Sequence, residues 1–237
     1  MRVAALYDIH GNLPALEAVL DEGTRESPDA IVVGGDVVWG PLQTECVELL
    51  QSRSARFLAG NCERNVLAPE SDRDRWCQAQ LAGDLQAEIA AWPPRIELDV
   101  DGIGPVCFCH ATPRRDDEIV TALTPDGDVA EAMAGSDAAL VVSGHTHVRL
   151  DRSVPGAPRF LNPGSVGLPY EGERGAFWAL LGPGIELRRT SYDVERALER
   201  LAAAGFPDFD DIFPEALRGE VAPSSAVEYF ESQRRGS

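Results

Sequence analysis

The four histidines of this chain lie in three short segments, Asp8-Ile9-His10-Gly11-Asn12, Cys109-His110 and Gly144-His145-Thr146-His147. Two more segments, Gly34-Gly35-Asp36 and Gly60-Asn61-Cys62-Glu63, add a carboxylate and a carboxamide. A chain that used histidine for ordinary packing would scatter it. Here every one falls where an apolar run gives way to a loop. Carboxylate, imidazole and amide oxygen together suit manganese, iron, zinc and similar ions better than a pure magnesium site. The seven ligand candidates Asp8, His10, Asp36, Asn61, His110, His145 and His147 are too many for one ion and enough for two that share a carboxylate. Plainer roles exist for each alone. Asp8 and Asp36 could cap helices beginning near residues 13 and 42, Asn61 could form a turn, and a single histidine is usually structural. The ordered set favours a two-metal site.

Seven groups drawn from residues 8 to 147 must be carried by elements that converge. Residues 3–7, 30–33 and 55–59 are apolar strands, each followed by a polar loop. Leu13, Leu16, Val19 and Leu20, then Leu42, Cys46, Leu49 and Leu50, repeat at helical spacing. This is βαβ order, and uninterrupted apolar strands suit a sheet covered on both faces. Asp8 and His10 are two apart, so in extended backbone they point the same way. With Asp36 and Asn61 they occupy the carboxyl edge, where open α/β sheets place their sites.

Residues 73–91 read as a helix stopped by Trp92-Pro93-Pro94. Strands at 95–100 and 105–109 flank the hairpin turn Asp101-Gly102-Ile103-Gly104. Helices are expected at 115–122, 127–134 and 192–204, and strands at 138–142, 148–150, 159–161, 175–181 and 185–191. Beyond residue 205, phenylalanines mix with acids and proline. Residues 208–217 are expected as short helical pieces folding back, and 233–237 should fray. No linker divides the motifs, so we expect one domain over 1–237: a core of 1–204 and an acidic C-terminal extension of 205–237 packed on it.

A net charge of −18 disfavours long nucleic acid and anionic membrane as partners. A small phosphate ester stays compatible, because bound divalent cations invert the local field. Five cysteines form no disulfide framework, which suits a reducing cytoplasm. The apolar start is too short for a signal peptide, and no run of about 20 apolar residues follows.

The order Asp-x-His, Gly-Asp, Gly-Asn-x-Glu, strand-end histidine and Gly-His-Thr-His resembles the calcineurin-like metallophosphoesterases, most closely their small prokaryotic phosphoesterase branch. The resemblance covers residues 1 to about 170, including Asn162-Pro163-Gly164-Ser165-Val166-Gly167. It implies an α/β (α+β) fold, a four-layer αββα sandwich with two mixed β-sheets. It also implies two divalent ions per chain, Mn²⁺ first and Fe, Zn, Ni or Co as alternatives. Asp8, His10, Asp36 and His147 would hold one ion, and Asp36, Asn61, His110 and His145 the other, with Asp36 bridging. The implied reaction is hydrolysis of a small phosphomonoester or phosphodiester, or a nucleotide-like substrate, by metal-activated water, with Asp36, Asn61, Cys62 and His110 as catalytic positions. A homo-oligomer is compatible with all of this.

The chain departs from that pattern at Cys62, where the family has a histidine taken to protonate the leaving group. A thiol with a pKa near ~8.5 donates poorly to a basic alkoxide. The superfamily also contains a trafficking scaffold subunit with almost no activity, altered at the same position. The alternative expectation is therefore a catalytically weak or inactive metal-binding interaction protein. Asn12, directly after the first metal loop, and Arg114, just past His110, are candidate substrate contacts beside Asn61.

Overall fold

The computed structural model describes residues 1–236. Strand β1 (Val3–Leu6) is buried on both faces. Its Val3 and Ala5 join one apolar cluster while Ala4 and Leu6 join another. Helix α1 (Leu13–Glu26) opens at Asn12 with proline in its first turn and buries Leu13, Leu16, Val19 and Leu20. Strand β2 (Ala30–Val33) pairs parallel with β1, Leu6 opposite Val33. Helix α2 (Gln43–Ser52) returns the chain to β3 (Arg56–Phe57), parallel to β2, and α3 (Asn61–Leu67) follows.

The helix expected over 73–91 is two helices, α4 (Asp72–Gln80) and α5 (Gly83–Ile89). Leu81 breaks it by taking an extended backbone that sends its side chain into the core, and Gly83 offers little helix propensity to resist. Strands β4 (Arg95–Val100) and β5 (Gly104–Cys109) form the expected hairpin. The helix expected at 115–122 does not form; this stretch is an irregular loop. Its charges are engaged elsewhere: Arg64 binds Asp116 and Asp117, Arg115 binds Asp117, and Glu118 accepts from Thr112 and Arg114. Those partners hold the backbone open.

Helix α6 (Asp126–Ala132) is followed by β6 (Leu140–Val142), β7 (Leu150–Arg152), β8 (Arg159–Asn162), β9 (Ala176–Leu181) and β10 (Ile185–Thr190). Helices α7 (Val194–Ala202), α8 (Phe209–Arg218) and α9 (Pro223–Gly236) complete the chain. The fraying expected over 233–237 is not seen through Gly236, and Ser237 lies outside the described residues.

One five-stranded sheet runs β10-β9-β1-β2-β3 and the other β4-β5-β6-β8-β7. Both are mixed: the first is parallel across β1-β2-β3 and antiparallel across β10-β9-β1, and the second is parallel across β5-β6-β8 with antiparallel edges. Tyr7, Val32, Phe108, Val142, Leu161 and Ala179 fill the space between them. The outer face of the first sheet packs Leu16, Val19 and Trp178 with Phe206, Phe213 and Leu217. That of the second packs Cys107, Cys109 and Phe160 with Val129 and Met133. The result is helix, sheet, sheet, helix. It brings the carboxyl ends of β1, β2, β5 and β6 to one edge. Among the described residues no helix is long and apolar enough to cross a membrane.

Candidate metal centre

Five of the seven ligand candidates stand in left-handed backbone: Asp8 at φ 53°, His10 at 46°, Asp36 at 56°, His145 at 69° and His147 at 57°. This corrects the expectation that Asp8 and His10 converge through extended alternation. Each such residue costs about 1–3 kcal/mol and persists only where its surroundings over-determine it. Here the first two loops are laced together, His10 N–H donating to Asp36 O at 2.9 Å and Gly11 N–H to Val37 O at 3.1 Å. Ser165 Oγ donates to Asp8 O at 2.7 Å from the other side. Two motif glycines are needed for close approach. A Cβ on Gly60 would stand 2.3 Å from Asp36 Oδ1, and one on Gly144 2.3 Å from Asp8 Oδ2. Neither Asp8 nor Asp36 caps a helix: Asn12 Oδ1 caps α1, and Leu42 precedes α2.

The side chains form three metal-ligand-like triads: Asp8–His10–His147, Asp8–Asp36–His110 and His10–Asp36–Cys62, all buried. His110 Nε2 lies 3.3 Å from Asp36 Oδ2 and 3.0 Å from Asn61 Oδ1, and His147 Nε2 lies 3.5 Å from Asp8 Oδ1. His145 is placed beside them, its ring 5.3 Å from that of His110 and its N–H donating to the Asp8 carboxylate.

Three imidazoles are fixed the same way. Nδ1 of His10 faces Trp39 O at 3.1 Å, that of His110 faces Gly34 O at 2.9 Å, and that of His147 faces Leu168 O at 2.7 Å. A carbonyl only accepts, so Nδ1 carries a proton in each. Nε2 of His10 and His147 turns its lone pair inward, while Nε2 of His110 faces the Asn61 and Asp36 oxygens and is protonated as well in the metal-free chain. This is the outer hydrogen bonding that orients metal-bound histidine. It leaves His10 Nε2 and His147 Nε2 facing each other at 3.1 Å. Two lone pairs at that distance repel, and a shared cation removes the conflict. The donor set fits a divalent ion.

The electrostatics agree. Burial and the neighbouring His147 push His10 down to about 4, and burial with His110 pushes His145 down to about 4, so both are neutral and able to ligate. Burial would raise Asp36, but His110 and His10 overcome it and hold the carboxyl well below its ordinary range. His110 is raised in turn by Asp36 and Asp8 against the opposing effect of burial.

Glu63 organises this centre and was not singled out by the sequence reading. Its Oε1 accepts from Val37 and Val38 N–H, and its Oε2 from Asp36 and Gly60 N–H, at 2.7–3.2 Å. One buried carboxylate thus ties the Asp36 loop to the start of α3. Its signal was an acid at the third position of a helix opening on glycine, which reads as a local cap. Cys62 sits inside the cluster, its N–H donating to Asp36 Oδ1 at 2.9 Å. Burial, then Asp36 and Glu63, push its thiol well above the ordinary range. It stays a neutral thiol.

The two remaining candidates are placed differently. Asn12 is fully buried, its Nδ2 donating to Gly167 O and its Oδ1 capping α1. It holds the loop and has no atom left for substrate. Arg114 lines a cleft of about 490 Å³ beside His110, Arg64 and Trp92, but its guanidinium is paired with Glu118 and Glu131.

Residues 1–181 match the family model described as the calcineurin-like phosphoesterase superfamily domain. The chain belongs to that superfamily. An uncharacterised protein of Methanocaldococcus jannaschii is 29% identical over 234 residues, covering 87% of this chain and 94% of its own length. The crystal structure of a metallophosphoesterase from Sphaerobacter thermophilus is 26% identical, with a TM-score of 0.73 over 92% of this chain and 100% of that one. A hypothetical protein from Pyrococcus horikoshii shares the fold at 18% identity and a TM-score of 0.77, over 92% and 98%. This calcineurin-like chain keeps all seven polar positions of the sequence pattern, with cysteine at residue 62.

Proposed function

We propose that this centre holds two divalent ions, manganese foremost, and that Cys62 leaves the protein a metal-binding phosphoesterase of curtailed power. Asp8, His10, Asp36 and His147 would take one ion, and Asp36, Asn61, His110 and His145 the other. The observation that carries the metal reading is the convergence of His10 Nε2 and His147 Nε2, 3.1 Å apart, with the Asp8 carboxylate in one buried triad. When bound, such ions supply an acidified water and neutralise charge on phosphoryl oxygens. The chain's own residues then orient the ions and exclude bulk water. What the site lacks is the histidine that the sequence pattern carries at residue 62. Cys62 is 8% exposed with its thiol held neutral and high, and general acid catalysis is worth about 10²–10⁴-fold. Hydrolysis would be confined to small phosphoesters whose leaving groups depart unprotonated, and long nucleic acid and membranes would not be partners. Five free, buried cysteines support residence in a reducing cytoplasm.

A second reading, an efficient phosphomonoesterase or phosphodiesterase, draws on the undiminished ligand set and on the Sphaerobacter relative described as a metallophosphoesterase. Metal analysis with a phosphoester panel separates them. We expect close to two Mn²⁺ per chain, slow turnover of p-nitrophenyl phosphate or its bis ester, and almost none of alkyl esters. Fast alkyl turnover would favour the second reading. No bound metal under saturating Mn²⁺ would defeat both.

A further inference from the structure

The terminal helix lies across the mouth of the metal centre and is fixed at both ends. At its start, Gly172 N–H donates to Val221 O at 2.9 Å, tying it to the loop that carries Tyr170. Towards its end, Glu231 is 3% exposed and accepts from the hydroxyls of Thr121 and Thr124 at 2.7 and 2.6 Å, while Arg234 reaches Asp128 at 2.8 Å. A carboxylate is buried only where it is well bonded, so this seat is specific. Ala226 and Phe230 are four apart and share the inward face; Ala226 is buried and Phe230 half-buried.

That seat places an aromatic ring against each histidine of the Gly-His-Thr-His loop. Phe230 lies 6.1 Å from His145, and Tyr170 stacks on His147 at 4.9 Å and 24°. Tyr229 contacts Phe230 edge-on at 5.6 Å and is 61% exposed. The opposite cleft holds Trp92 and three arginines already paired with acids. On the α9 side, the surface beside His145 and His147 is formed by the rings of Phe230, Tyr229 and Tyr170.

Resting on the metal-centre reading above, we propose that Phe230, Tyr229 and Tyr170 form the leaving-group subsite, and that the substrate class is an aryl phosphoester. An aryl ester also suits a centre with cysteine rather than histidine at residue 62, because its leaving group is stable as an anion. A phenol, with a pKa near ~10, is such a group, whereas an alcohol is not. In the reaction, water oxygen forms the new bond to phosphorus and the bond from phosphorus to the aryl oxygen breaks. The electron pair leaves on phenolate, which takes a proton from solvent. Phe230 and Tyr229 are specificity residues that pack on the ring.

Phenylphosphonate and methylphosphonate, which carry no P–O ester bond to hydrolyse, test the subsite without turnover. Their affinities for the full chain with saturating Mn²⁺ are measured by calorimetry and expressed relative to inorganic phosphate. Stacking on one or two rings predicts a preference for phenyl over methyl of about 10-fold. Phe230→Ala should bring that ratio near unity, Phe230→Leu should recover little of it, and Tyr229→Ala, at an exposed position that folding does not need, should lower it about 3-fold. Equal binding of the two phosphonates by the unaltered protein, or an unchanged ratio in both alanine variants, overturns the proposal. Failure of inorganic phosphate and Mn²⁺ themselves to bind would be a different result, striking the metal-centre reading and this subsite with it.

Discussion

The metal centre and its rim are built by opposite means. In the centre, His10, His110 and His147 are each fixed by a backbone carbonyl, and Glu63 collects four backbone N–H groups. At the rim, Arg64, Arg114 and Arg115 meet Asp116, Asp117, Glu118 and Glu131 through exposed side-chain pairs. Backbone partners cannot rotate away, so the centre holds its geometry before any ion arrives. Exposed ion pairs are worth little and are screened by salt. The centre is thus built from short motifs legible in the sequence, while the rim depends on side-chain pairs between distant segments, which are not.

The sharpest break in that contrast is Asp36→Asn. It removes the carboxylate that faces His10, His110 and the Cys62 N–H at once. We expect metal content to fall by at least one ion per chain and turnover of aryl and alkyl esters alike to reach background, read by metal analysis and a phosphate-release assay. Retention of both ions would remove Asp36 from the bridging position.

Glu63→Gln keeps the shape and removes acceptor capacity, leaving backbone N–H groups unsatisfied in the interior. The cost should be about 1–3 kcal/mol of stability, with Mn²⁺ affinity lowered about 10–100-fold, the range for partners that orient ligands. Thermal melts with and without Mn²⁺, beside a binding titration, would show it. A variant that melts normally and binds metal normally would reduce Glu63 to a helix cap.

Cys62→His should raise kcat for alkyl phosphoesters about 10-fold or more while changing p-nitrophenyl esters little, because only the former need a proton. The comparison of the two kcat values is the measurement. Equal response of both substrate types would mean that protonation has another source.

The pH dependence of the metal-free protein follows from its histidines. His110 is raised by Asp36 and Asp8 against burial. Its contribution is therefore complete below the ordinary histidine value of ~6.5 and is lost as pH rises through the raised one. His10 and His145, depressed to about 4, act in the other direction and weaken the fold as pH falls from ~6.5 towards that value. Melting temperature after chelation should thus peak near neutrality and decline on the alkaline side. Mn²⁺ should remove the alkaline decline, since the cation replaces the proton between His110 and Asp36. A chelated protein whose melting temperature climbs steadily above neutrality would contradict the charge assignment.

Sequence alone carried the strand-loop-helix order and the convergence of Asp8, His10, Asp36, His110 and His147, because each lies at a strand end marked by glycine or a polar break. It missed what depends on distant partners. The helix expected at 115–122 is opened by Arg64, which lies about fifty residues away in sequence (a separation of 52 to Asp116). The left-handed turns at Asp8 and His10 are imposed by the neighbouring Asp36 loop and by Ser165. Asn12 looked available to substrate because nothing local reveals that Gly167 O consumes its amide. The seat of α9 rests on Glu231 meeting Thr121 and Thr124 across more than 100 residues, which no periodicity announces.

The imidazoles of His10 and His147 meet across 137 residues of chain, and that separation governs the order of events when the protein folds. Parallel strand pairing and sheet docking are slow steps because loop-closure entropy must be met before distant contacts form. The triads that include His110 or His147 close only when both sheets have met, so a cation held there cannot act as a nucleus. Ions that arrive only after the barrier leave the refolding rate alone and slow the return over it. Metals bound at this centre would be a latch on the finished structure, and their removal should be felt first as a shorter lifetime of the native state.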